Sequence, residues 1–178
     1  MPYIPMTSYD TSPAEVQKRY DDQIQKHGRI TNMKRTMLHA PLVFDVYMYW
    51  YELAAKLEEF LPHRAVMLFS YAISAANRCL VCGTFFRKIL IDNGDDPDEP
   101  DLNEEEELLM ELGYSISENP HDIAEEIYGA LKARYTNAQI VTLIGFAGQM
   151  AATNLFNTVA KVDLDEILYS YKSTKPQD

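Results

Sequence analysis

Cys79 and Cys82, in Asn77-Arg78-Cys79-Leu80-Val81-Cys82-Gly83, are the only cysteines of the 178-residue chain, and their spacing suits disulfide chemistry. Two intervening residues put the sulfurs about one helical turn apart, within bridging range when the first sits at a helix N-terminus. That position also favours thiolate, because unpaired backbone N–H groups and the helix dipole stabilise negative charge on sulfur, and Arg78 adds a cation beside it. A redox dithiol is the foremost reading. Two buried structural cysteines on one helix would look the same from sequence. Half of a zinc site is the weakest reading, since no second cysteine pair exists and His27, His39, His63 and His121 stand singly. No metal and no cofactor is expected.

The elements that must hold these thiols read as helices. Ser12-Pro13-Ala14-Glu15 carries a capping pattern that opens a helix over 13–27, which Gly28 stops. A second helix, Leu42 to Phe60, is apolar in nearly every direction and needs partners on more than one side. A third runs from His63 to Ala76. Asn77 is placed to cap a fourth through Leu90, with Cys79 in its first turn. Asn103 and Glu106 form a capping-box pattern for a fifth, Asp122 to Tyr135 make a sixth, and Thr136 to Gln139 cap a seventh over Ile140 to Ala160. The expectation is one all-α domain over 1–178, about seven helices and no significant sheet.

Charge narrows the partners. The chain carries 16 basic and 27 acidic residues, net charge -11, which argues against nucleic acid or an anionic membrane. Eleven of the acidic residues lie between Asp92 and Glu111, where no Lys or Arg occurs, so the excess belongs to one segment, read as a solvated loop over 92–103 and a helix start. Met1-Pro-Tyr-Ile-Pro lacks the basic and apolar regions of an export signal, and no apolar run approaches the roughly 20 residues of a membrane span. A soluble cytoplasmic protein is expected, where a cysteine pair is better suited to cycling than to stapling.

With the thiols and helices in place, the chain resembles the AhpD-like and carboxymuconolactone decarboxylase superfamily, in its alkylhydroperoxidase (peroxidase-related) branch, over about 13–168. The resemblance rests on the order and spacing of several segments: Gly28-Arg29-Ile30-Thr31-Asn32-Met33 and Leu38-His39-Ala40-Pro41 near the start, Leu61-Pro62-His63-Arg64 before the Cys-x-x-Cys, and Asn154-Leu155-Phe156-Asn157 with Val162-Asp163-Leu164-Asp165 near the end. It implies an AhpD-like helical bundle, subunits that pair through helices, and thiol peroxidase (peroxiredoxin) activity. By that analogy Cys82 attacks the peroxide, Cys79 resolves the sulfenic acid to a disulfide, and a dithiol or protein reductant reopens it.

The family motif places Glu twelve residues before the first cysteine and His four residues after the second. Here those positions hold Met67 and Phe86, which pack and carry no protons. His63 and Tyr71 share the helix face of Met67, and with Arg78 they are the auxiliary candidates. Three uses follow, in this order: a thiol-disulfide oxidoreductase acting on a small molecule such as an organic peroxide with an incomplete relay; a catalytically degenerate scaffold that binds a small molecule or protein; and lactone decarboxylation, against which the retained cysteines and the longer chain both count. A homo-oligomer is expected, because the Leu42 to Phe60 helix is too apolar for one core.

Overall fold

The computed structural model describes residues 2–173. Among them the chain forms nine α-helices, two 3-10 turns and no strand: α1 Ala14–His27, α2 Asn32–Met37, α3 Pro41–Met48, α4 Trp50–Glu58, α5 His63–Ala76, α6 Leu80–Asp92, α7 Glu104–Glu118, α8 Glu125–Arg134 and α9 Asn137–Val159, with 3-10 turns at Tyr9–Thr11 and Glu166–Tyr171. The all-α reading holds, with more helices than the expected seven. No helix of the described residues is long and apolar enough to cross a membrane.

α5 is the central helix. Residues from Ala65 through Ser74 are buried with the exception of Tyr71, and α7, α6, α9 and α4 pack around them. Ala72, Ile73 and Phe69 fit so closely against α7 that a Cβ on Gly113 would meet the Ala72 Cβ at 3.0 Å. Burial of each large apolar side chain here contributes about 1.5–3 kcal/mol. A second, smaller cluster of Val16, Tyr20, Met37, Leu38 and Phe44 binds α1, α2 and α3 together.

Several caps differ from their sequence reading. The α7 and α9 capping boxes form as expected, at Asn103/Glu106 and Thr136/Gln139. Gly28 ends α1 with φ 73°, the left-handed geometry glycine adopts without strain. Ser12 does not cap α1; its hydroxyl donates to the Ser8 carbonyl instead. Helix 42–60 is two helices, broken at Tyr49, and the sixth helix starts at Glu125 rather than Asp122. The break lets Trp50 turn inward, where its ring lies 6.3 Å from Phe86 and 6.0 Å from Phe146 and its indole N–H faces the Met150 sulfur at 2.8 Å. Part of that helix's apolar surface is therefore spent inside the chain's own core.

The acidic segment is not merely solvated. Arg64 pairs with Asp95 and Glu106 and donates to the Asp101 carbonyl, and Glu106 is buried. Arg87, itself buried, meets both carboxylate oxygens of Asp98 at 2.8 Å and also reaches the Tyr171 carbonyl at 3.2 Å. A bidentate arginine–carboxylate pair of this kind fixes geometry as well as charge. Two arginines thus tie the acidic loop to α5 and α6.

Candidate active site

α5 ends in a Schellman turn immediately before the first cysteine. The Cys79 N–H bonds to the Ser74 carbonyl at 3.0 Å and the Arg78 N–H to the Ala75 carbonyl at 2.9 Å, with Arg78 at φ 52° in the left-handed position usually given to glycine. Asn77 closes α5 rather than opening α6: its amide donates to the Ile73 carbonyl and to Ser117 Oγ. Cys79 itself is the N-cap of α6, one position earlier than its expected place in the first turn, and its sulfur accepts the Cys82 N–H at 3.4 Å. The role of Arg78 seen here is conformational: its backbone turn brings Cys79 onto the helix N-terminus, and its side chain is exposed.

The two thiols are free and share one hydrogen bond. The Cys79 pKa falls from its ordinary value to about 7, chiefly because the Cys82 thiol donates to it. Burial opposes that fall, while the N–H groups of Cys82 and Val81 and the Thr158 hydroxyl assist it. Cys82 is driven the opposite way, by its hydrogen bond to Cys79, by burial and by the neighbouring negative charge. Asn157 alone favours a Cys82 thiolate: its Nδ2 lies 3.1 Å from that sulfur. Above about pH 7 the pair thus holds one proton between two sulfurs, with the charge on Cys79.

The cysteines face different surroundings. Cys82 borders a cavity of about 100 Å³ walled by Trp50, Tyr47, Phe85, Phe86, Met48 and Met150. Its few polar groups include Lys34, Tyr51, Asp165 and Asn157. Leu168, from the 3-10 turn that the sequence reading did not anticipate, helps close it. Cys79 instead borders a polar groove with Arg78, Thr158 and Lys161. Lys161 ends α9 in a second Schellman turn, at φ 49°, with the Val162 N–H on the Asn157 carbonyl.

Of the relay positions, Phe86 lies on the wall of the Cys82 cavity, one helical turn beyond the sulfur, whereas Met67 lines an adjoining cavity that shares Trp50, Tyr51, Phe85 and Lys34 with it. Both are buried, at 3% exposure each. His63 is exposed and hydrogen-bonded through Nδ1 to Glu58 at 2.6 Å. The Tyr71 hydroxyl accepts from Arg87 Nη1 at 3.3 Å and Tyr71 borders a second groove, shared with Cys79, Arg78 and Arg87. None of the three auxiliary candidates, His63, Tyr71 and Arg78, lines the Cys82 cavity, although His63 borders the adjoining one with Met67. Sequence reasoning missed Lys34, Tyr51 and Trp50 as parts of the site. For Lys34 the only signal was the Thr31 cap that begins its short helix and buries it.

No protein-family model matches the sequence, and no curated protein is similar to it. Solved structures are similar in shape. One, described as an AhpD core and an uncharacterized peroxidase-related protein from Ralstonia eutropha JMP134, superposes with TM-score 0.73 at 16% identity, covering 94% of each chain. An uncharacterized peroxidase-related protein from Silicibacter sp. TM1040 gives TM-score 0.78 at 15% identity over 93% of this chain and 92% of that one. The debrominase Bmp8, as a cysteine-to-alanine variant in complex with 2,3,4-tribromopyrrole, gives 0.75 at 14% identity over 95% and 94%. The described helices and their order are those of the AhpD-like fold.

Proposed function

We propose that this chain is a thiol-disulfide oxidoreductase that reduces a small apolar electrophile, an organic hydroperoxide first of all, at Cys82. The observation that carries the reading is the division of labour between the sulfurs: Cys82 borders the aromatic cavity, and Cys79 holds the charge beside it. The missing Glu and His need not be replaced by distant groups, because the Cys79 thiolate is itself a base in contact with the Cys82 thiol. It takes that proton as Cys82 attacks the distal peroxide oxygen, and the Asn157 N–H stabilises the charge that arrives on Cys82. The O–O bond breaks, the alkoxide leaves with the proton from Cys79, and Cys82 becomes a sulfenic acid. The regenerated Cys79 thiolate attacks that sulfur, expelling hydroxide, which draws one net proton from the buffer and leaves as water. The sum is one alcohol, one water and one disulfide per hydroperoxide. A dithiol or protein reductant then attacks from the polar groove at Cys79 and restores both thiols.

A second reading has its own support. The debrominase of similar fold is described with a brominated pyrrole bound, and a cavity of about 100 Å³ is of the order of the ~150 Å³ that admits benzene. A halogenated ring would fit the same chemistry, the dithiol supplying two electrons to exchange carbon–halogen for carbon–hydrogen with release of halide and formation of the disulfide.

Treating reduced protein with cumene hydroperoxide should consume both thiols per peroxide and yield the Cys79–Cys82 bridge, at a rate that climbs as pH rises through about 7, where Cys79 becomes thiolate. Thiols that stay free under this treatment would return the pair to a structural role and the cavity to a binding scaffold, and a rate indifferent to pH across that range would remove the Cys79 thiolate as the base.

The proposal includes a homo-oligomer. Leu42, Val43, Val46 and Tyr49 leave an exposed apolar stripe along α3, with Leu42 at 76% and Tyr49 at 66% exposure. Trp50, by contrast, serves the cavity. Sedimentation should give a multiple of the 20.4 kDa chain mass. Val46→Glu should shift it to the monomer, and a wild-type monomer at micromolar concentration would remove this part of the proposal.

A further inference from the structure

Lys34 is 5% exposed, yet its ammonium has no ion-pair partner among the described residues. It donates to Gln23 Oε1 and to the Tyr51 hydroxyl at 2.8 Å, both neutral, which uses two of its three donors. A buried charge without a counter-charge is costly, and proteins normally pair it or neutralise it. The surroundings do neither. Arg29 lies near enough to repel it, the Tyr51 ring lies under the ammonium at 4.9 Å, and Asp165, which lines the same cavity, attracts it without forming an ion pair. Burial and Arg29 lower its pKa to about 8, so it stays mostly protonated at neutral pH. This cation lines the same cavity as Cys82 and the aromatic wall.

We propose that Lys34 anchors the acid group of the ligand, so that the Cys82 cavity takes small aromatic acids, bound as carboxylate or phenolate anions with the ring on Trp50 and Phe86. The anion supplies the counter-charge and accepts the third ammonium donor. Asn157 gives a second point of recognition. Its Oδ1 is the buried side-chain oxygen left without a hydrogen-bond partner among the described residues, and a ligand O–H that reached it would supply the missing donor. The substrate class that follows is an aromatic acid bearing a reducible substituent, held by its charge at Lys34 and presenting the reducible group to Cys82. This deepens the oxidoreductase reading and rests on it for the fate of the ligand, but not for its binding.

Trp50 is the only tryptophan and lines the cavity, so its fluorescence reads occupancy. Benzoate and benzyl alcohol are titrated into reduced protein at about pH 6.5 and again at about pH 9.5, on either side of the Lys34 transition. Benzoate should bind at least about tenfold tighter than the alcohol at the lower pH. The advantage should shrink at the higher pH as the ammonium loses its proton. Lys34→Met should keep benzyl alcohol affinity and erase the preference for benzoate. Equal affinities at the lower pH, or a benzoate preference that survives Lys34→Met, overturns the proposal. Should that variant fail to fold, Lys34→Gln takes its place, because Cys79 also becomes thiolate across this range and weakens benzoate by its own charge; a benzoate preference that survives Lys34→Gln overturns the proposal. Benzoate binding in a protein whose thiols ignore peroxide would sink the oxidoreductase reading and leave the anion site standing; turnover without selective benzoate binding would do the reverse.

Discussion

Cys82→Ser should lose hydroperoxide turnover by at least about 10³-fold, because serine at this site offers no comparable nucleophile and no sulfur for the bridge. Cys79→Ser should behave differently. On the proposed mechanism it removes the base that accepts the Cys82 proton and the thiol that resolves the sulfenic acid, so the first oxidation should slow by about 10²-fold and then stop after one equivalent. Mass spectrometry should find sulfenic or sulfinic acid on Cys82 in that variant and no internal disulfide. The acidity of Cys79 raises the opposite possibility, that it attacks. Geometry argues against it: the aromatic cavity borders Cys82, whereas Cys79 borders the polar groove. Fast single-turnover oxidation in Cys82→Ser, with none in Cys79→Ser, would exchange the two roles.

The second large effect comes from restoring what the family motif has and this chain lacks. Met67→Glu with Phe86→His should raise the wild-type hydroperoxide rate at least about tenfold, the low end of what general acid-base help supplies. Each single change should do less, since a lone carboxyl among apolar side chains stays protonated and a lone imidazole lacks its orienting partner. Phe86 is well placed for this, on the wall of the Cys82 cavity. Met67 is one cavity removed, so the new Glu must reach past Phe85 and Trp50. Two buried packing residues are exchanged for polar ones, so melting temperature is measured beside the rate. A stable double variant no faster than wild type would show that proton transfer at this site does not run through positions 67 and 86.

How legible this was from sequence depends on how local each signal is. The α5 bounds, His63 to Ala76, and the α7 and α9 capping boxes were readable because caps and apolar periodicity are properties of a few adjacent residues. The break at Tyr49 was not. No glycine or proline marks it, and its cause is distant: Trp50 is drawn inward by Phe86, Phe146 and Met150, all more than thirty residues away. Lys34 was illegible for the same reason, since a lysine on a six-residue helix reads as solvated until Gln23 and Tyr51 close over it. The acidic loop showed its charge but hid its partners, because Arg64 and Arg87 lie on other helices. Asn157 was readable only as part of a closing segment, and its contact with Cys82 spans 75 residues.

The position of Cys79 at the start of α6 also sets the direction in which electrons flow. Every donor aimed at its thiolate, from the Cys82 S–H to the Val81 N–H, stabilises the reduced protein and has no equivalent once the sulfur is bridged. Closing the bridge gives up that stabilisation, which displaces the couple toward the oxidising end of the thiol scale, where the reduced form is favoured. On the proposed function, a bridge made in one turnover would be surrendered readily to a dithiol that reaches the polar groove. Such a protein would spend most of its time armed, its pace set by the arrival of electrophile rather than by the supply of electrons.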